Sequence, residues 1–172
     1  MIYGYKCFNK GLINRYGKQF EVGKTYHCEK DIIFGNNGHA FHMCKNLEDT
    51  LRYFDAMDNE VDICLIKGFG KHAEYEDTQN DYYDMYAFEY ITIVKKLTRK
   101  EIIDYGLSLY EYRAERFVSQ FRLTKEEIAL FKTKFAKSIH VLNSISYYQE
   151  GDKDVYKRYY EKYTKKRTLW YN

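Results

Sequence analysis

The chain has 172 residues, 45% of them hydrophobic, 31% charged and 19% aromatic, and a formal net charge of +3. That much apolar and aromatic side chain excludes a disordered chain, and no stretch approaches the run of about 18 apolar residues that a membrane-spanning helix needs. The charge is small and uneven, with six Lys/Arg against two acids in residues 1–30, six acids and no Lys or Arg in 74–94, and seven Lys/Arg against three acids in 152–172. A uniformly basic, duplex-binding surface is therefore excluded.

Residues 2–8 are rich in β-branched and aromatic side chains and predict a strand, with turns at Lys10-Gly11 and Tyr16-Gly17-Lys18. Residues 19–28 alternate through Phe20, Val22 and Tyr26 and predict a second strand with Gly23 inside it. A short apolar run at 31–34 meets the turn Gly35-Asn36-Asn37-Gly38, where Asn and Gly tolerate positive φ. Residues 41–44 follow. Asn46 is expected to cap a helix reaching about residue 57, with Glu48 and Asp49 in its first turn and Leu47, Leu51 and Phe54 on one face. Residues 60–67 predict a central strand, because Val61, Ile63 and Leu65 on one face and Cys64 and Ile66 on the other are all apolar. Gly68-Phe69-Gly70 is expected to end it, and an acidic, tyrosine-rich loop to follow. Residues 85–94 predict a long strand with Tyr86, Phe88, Tyr90, Thr92 and Val94 on one face and Ala87, Glu89, Ile91 and Ile93 on the other.

The period then changes from two to that of a helix. Thr98-Arg99-Lys100-Glu101 and Thr124-Lys125-Glu126-Glu127 are capping boxes. Ile103, Leu107, Tyr110, Ala114, Phe117, Val118 and Phe121 form one apolar stripe, and Ile128, Phe131, Phe135, Ile139, Leu142 and Ile145 a second. A third helical piece is expected at about 152–164. The chain contains no proline, so only Gly106 and Gly151 are expected to interrupt the helices. The expected fold is α+β: a small, mostly antiparallel sheet with one short helix over residues 1–97, then a helical extension over 98–172 packed on it.

Four cysteines, Cys7, Cys28, Cys44 and Cys64, lie in the first part of the chain, and there is no CxxC. The N-terminal residues carry no secretory signal pattern, so a cytoplasmic location and free thiols are expected. His27, Cys28, His39, His42 and Cys44 are potential zinc ligands by type, but their spacing matches no common zinc module, and no metal is expected. The short signatures of P-loop, dinucleotide-binding, zincin and serine-hydrolase sites are absent from the sequence.

The stretches Gly4-Tyr5-Lys6-Cys7-Phe8, then Phe20-Glu21-Val22-Gly23-Lys24-Thr25-Tyr26, then Phe41-His42-Met43-Cys44 resemble an uncharacterised domain family of phages, prophages and mobile elements. That family's pattern runs YKxF, YEVGKTY and GFHxC; here Phe20 stands for its Tyr and Ala40 for its Gly. The resemblance spans about residues 3–97 and implies an origin, not an activity. The order of these strands also resembles ADP-ribosyltransferase-like folds. That likeness implies a transferase using NAD, with Lys6, His42 and Glu89 as its catalytic set, although Lys6 stands where such folds have Arg or His.

The residues support three functional readings. The leading one is a non-catalytic, phage- or mobile-element-encoded accessory protein. It binds a host protein and blocks a basic surface, as an anti-CRISPR-like inhibitor of a nucleic-acid-targeting defence would. Its binding residues are Glu74, Tyr75, Glu76, Asp77, Asp81, Tyr82, Tyr83 and Asp84, which mix carboxylates with broad, amphipathic rings. The first alternative is the NAD-using transferase. The second is single-strand RNA binding by the tail, where Lys157, Arg158, Lys165, Lys166, Arg167 and Trp170 set cations beside aromatic rings.

Overall fold

A computed structural model describes residues 1–32, 40–75 and 85–168, with backbone alone at Tyr75 and 163–168. The chain is α+β and forms two compact units, Met1–Ile102 and Ile103–Asn172.

The first unit holds β1 (Ile2–Asn9), β2 (Thr25–His27), β3 (Phe41–Cys44), α1 (Leu47–Leu51), β4 (Val61–Tyr75) and β5 (Met85–Lys96). Every strand pair is antiparallel. β4 pairs with β1 on one edge and with β5 on the other. The far edge of β5 takes β3 over Met85 to Phe88 and then β2 over Tyr90 to Thr92. β1 meets β3 at Tyr5 and Cys44, so β5, β3, β1 and β4 close into a small barrel. Closure gives β1, β3, β4 and β5 a partner on both sides and leaves β2, paired with β5, as a short edge strand.

Phe8, Leu12, Phe20, Met43, Cys64, Ile66, Phe88, Ile91 and Ile93 fill its interior. On the outer side α1 packs against β1 and β3, and Cys7, Leu47, Leu51 and Ile63 are buried. Phe88 lies so close over Gly68 that an added Cβ there would sit 2.3 Å from its ring, which is why β4 carries glycine at that point.

Several sequence expectations are corrected here. Strand pairing at residues 19–28 is confined to Thr25–His27, with an isolated bridge between Ile13 and Gln19. The helix after Asn46 is only Leu47–Leu51, and the Asn46 side chain donates to Asp49 Oδ2 at 3.0 Å instead of capping it. β4 does not end at Gly68-Phe69-Gly70. It runs on to Tyr75 through a bulge in which Gly70, at φ 80°, and Lys71 face Glu89 alone. Opposite that bulge the alternation of β5 changes phase, so Phe88, Ile91 and Ile93 all reach the core.

The second unit is helical. α2 (Arg99–Ser108) leads into α3 (Glu111–Gln120), α4 (Lys125–Lys134), α5 (Ile139–Ser144), a π-helical turn (Ile145–Gln149) and α6 (Val155–Thr168). Both capping boxes form: Thr98 N–H bonds Glu101 and Glu101 N–H bonds Thr98, and Thr124 and Glu127 do the same. Phe117 and Phe131 stack at 5.7 Å in its core, with Phe121, Phe135, Val141 and Ile145 also buried. Gly106 does not interrupt a helix. It lies inside α2, where a Cβ would meet the Phe117 and Phe131 rings at 2.7 and 2.8 Å. The chain breaks instead at Tyr110 and Phe121, which are extended and need no proline. Gln149 ties the second of these breaks: its amide donates to Val118 O and Phe121 O and accepts from Leu123 N–H.

Candidate functional site

Period-two alternation sets Lys6 on the same face of β1 as Phe8, whose ring is in the barrel core. The Lys6 ammonium donates to His42 O at 2.7 Å and lies 5.8 Å from the Phe8 ring centroid. After β1 the chain makes a tight loop. Leu12, a non-glycine residue at φ 58°, is held there because Asp62 Oδ2 accepts the Gly11 and Leu12 N–H groups at 2.8 and 3.1 Å. Asn14 Oδ1 then accepts from Tyr16 and Lys18 N–H, closing an Asx-type turn that presents Arg15, Tyr16 and Lys18.

Lys18 reaches back over the aromatic end of the core. Its ammonium is 5.5, 5.3 and 5.7 Å from the ring centroids of Phe20, Tyr26 and Phe41. Phe20 packs on Phe8 at 5.2 Å and on Tyr26 at 4.6 Å, and meets Phe41 edge-on. Arg15 lies close enough to act electrostatically on both Lys6 and His42, and its guanidinium is 5.1 Å from the Tyr16 ring.

The electrostatics are one-sided. Burial, together with nearby Arg15, pushes Lys6 down to about 8 despite opposing contributions from Cys44 and Cys7. Burial, then Lys6 and Arg15, push His42 down to about 4, so its imidazole is neutral at pH 7. Among the described residues, Lys6, Arg15 and Lys18 form no ion pair with a carboxylate. At this mouth of the barrel Lys18 thus lies over Phe20, Tyr26 and Phe41 and Lys6 over Phe8, while Arg15, against Tyr16, is near enough to Lys6 to act on it.

Of the transferase set, Lys6 and His42 meet here. The Glu89 carboxylate has other partners: Lys71 N–H at 3.0 Å, in the bulge, and His27 Nε2 at 3.5 Å. Those contacts, the Lys71 N–H foremost, hold it below the usual carboxylate range. His27 in turn stacks on Tyr90 at 4.4 Å, and Tyr90 on Phe69 at 5.1 Å, a row across three strands. Glu74 is exposed on β4, 3.9 Å from His72, and Tyr75 ends that strand. Glu76, Asp77, Asp81, Tyr82, Tyr83 and Asp84 lie outside the described residues, as do Trp170 and His39. Lys157 is exposed, Arg158 pairs with Asp152, and Lys165, Lys166 and Arg167 are on α6. α6 docks within its own unit through buried Val155 and through Tyr156, whose hydroxyl is 2.8 Å from Ser144 Oγ.

Cys7, Cys44 and Cys64 are buried free thiols, each pushed up to about 12 chiefly by burial, which makes them poor nucleophiles. Among the described residues, no three His, Cys, Asp or Glu side chains converge as a metal site requires.

The sequence reading missed Arg15, Tyr16, Lys18 and the Phe20–Tyr26–Phe41 cluster as a site. The signal was present. The three stretches that carry the family resemblance bring Lys6 from the first, Phe20 and Tyr26 from the second, and Phe41 and His42 from the third to this one place. The family model for a domain of unknown function, DUF7666, matches residues 2–105. The chain belongs to that family. The match covers every residue of the barrel mouth. No curated protein and no solved structure matches the chain.

Proposed function

We propose that this chain is a non-catalytic binding protein whose barrel mouth receives an anionic group of its partner. The observation that carries the reading is the gathering of Lys6 and Lys18 over the contiguous Phe8, Phe20, Tyr26 and Phe41 rings, with Arg15 acting on Lys6 from nearby, and no carboxylate partner for any of the three among the described residues. Lys6 is desolvated by the protein while Arg15 and Lys18 stay exposed, and an anion bound among them would supply the counter-charge that all three lack among the described residues. The neutral His42 and the raised thiols leave this mouth without an activated nucleophile, which also favours binding over catalysis. The test is an amide-shift titration of the full chain with inorganic pyrophosphate and, separately, with a hexaglutamate peptide. One of them should give saturable shifts in residues 14–20 that weaken with salt and vanish in Arg15→Gln with Lys18→Gln. Neither ligand shifting that loop overturns the reading.

The finer proposal adds that the chain is encoded by a phage or mobile element and acts in the cytoplasm of a bacterial host. There its acidic, tyrosine-rich stretch at 74–84 would cover the basic surface of a defence protein, in the manner of an anti-CRISPR. What supports it is sequence: the proline-free, tyrosine-rich composition and the alternation of carboxylates with rings. Asp81→Lys with Asp84→Lys should abolish capture of that host protein, and unchanged capture would sink this version.

A further inference from the structure

We propose that the anionic group received at the mouth is the phosphate of a nucleotide, with its base stacked on Tyr16; this deepens the anion-binding reading and rests on it. Tyr16 is 75% exposed, its backbone N–H donates to the Asn14 side chain, and its neighbour Arg15 lies against its ring. An exposed ring on a hydrogen-bonded turn beside cations provides both halves of nucleotide recognition. The ring face takes the base, and the ammonium and guanidinium groups take the phosphate. An inorganic anion or an acidic peptide would use only the cations and leave Tyr16 idle.

The geometry also gives Lys18 a role on arrival. Its ammonium rests over Phe20, Tyr26 and Phe41, held by cation–π attraction and by no carboxylate among the described residues. A phosphate is a stronger partner than a ring face, so Lys18 turns toward it from an exposed, flexible stem. Lys6 and Arg15 both act on His42, whose neutral ring adds no charge of its own, and both contribute positive charge to the site. No bond is made or broken in this step; the site binds.

The experiment is calorimetry of the full chain with AMP, adenosine, inorganic pyrophosphate and a five-nucleotide single strand of deoxyadenosine. AMP should bind about tenfold more tightly than adenosine or pyrophosphate, because only AMP engages both ring and cations. Tyr16→Ala should cost AMP about tenfold and leave pyrophosphate unchanged, and Arg15→Gln or Lys18→Gln should weaken both. These residues are exposed and outside the strands, so the barrel is expected to fold in each variant, and thermal melts check that. If the single strand binds more tightly than AMP, the nucleotide belongs to a nucleic acid; if not, it is free. AMP and pyrophosphate binding equally, with Tyr16→Ala silent, overturns the nucleotide and leaves the anion site standing. No heat with any of the four, together with no shift by the acidic peptide, overturns both.

Discussion

Asp62 joins the fold to the barrel mouth. Its side chain is 7% exposed and carries three interactions: Gly11 N–H and Leu12 N–H on Oδ2, and the Lys96 ammonium 2.5 Å from Oδ1. Burial alone would raise its carboxyl, but the Lys96 bond and the two N–H bonds together outweigh burial and hold it below its ordinary value of 3.8. Asp62→Asn keeps the shape and removes the charge. An amide presents one oxygen, so either the loop N–H groups or Lys96 must face an NH2 group. Each hydrogen bond to a buried charged acceptor contributes about 1.5–3 kcal/mol, and an unpaired buried donor costs about 1–3 kcal/mol. Lys96 is half exposed and recovers water, so its share is small. The expected loss is about 2–3 kcal/mol, read as a lower urea midpoint at unchanged slope. The sign with pH follows from the depressed carboxyl. Its stabilisation is fully present above the unfolded value and is lost as pH falls through the lower folded value. The gap between wild type and Asp62→Asn should therefore close in acid. Exchange of the Gly11 and Leu12 amides should accelerate at pH 7, because the loop that presents Arg15 and Lys18 loses its anchor. A gap under about 0.5 kcal/mol at pH 7, or one that is the same at acid and neutral pH, would refute the role given to the charge.

Gly106→Ala should destabilise the helical unit by about 1–2 kcal/mol, since the cost of overpacking exceeds the roughly 1 kcal/mol gained in helix propensity; a melt at or above that of wild type would show that the stacked Phe117 and Phe131 rings can move. Native protein should react with one equivalent of a thiol reagent at neutral pH, at Cys28, and unfolded protein with four; rapid loss of more than one native thiol would contradict the burial of Cys7, Cys44 and Cys64. Lys6 is lowered from 10.5 to about 8, so the unfolded chain binds more protons between those values and stability should rise with pH across that window. Lys6→Met should flatten the rise; a slope unchanged by that substitution would move its origin elsewhere.

Where the sequence reading worked, the information was local. The two capping boxes are short-range hydrogen-bonded units, so Thr98, Glu101, Thr124 and Glu127 announced their helices directly. The alternation of β1 and the apolar faces of β4 and β5 are equally local, and they gave the α+β order. Where it failed, the deciding partner was far away in the chain. Gly70 looks like a strand end by itself; it is a bulge because Glu89, across the ladder, accepts Lys71 N–H. Gly106 looks like a helix break, and it is a packing gap because two phenylalanine rings need the space.

The mouth follows the same division. The amino-acid sequence alone determined that residues 2–8 form a strand, that Tyr16-Gly17-Lys18 turns, and that the C-terminal part is helical, because each depends on neighbours a few residues apart. Only the tertiary structure decided that Lys6, Lys18, Tyr26, Phe41 and His42 meet, and that Glu89 has its partners elsewhere. Barrel closure is the physical reason. The pairing of β1 with β3 and of β3 with β5 joins residues dozens of positions apart, and no period in the sequence records which strand edge will meet which.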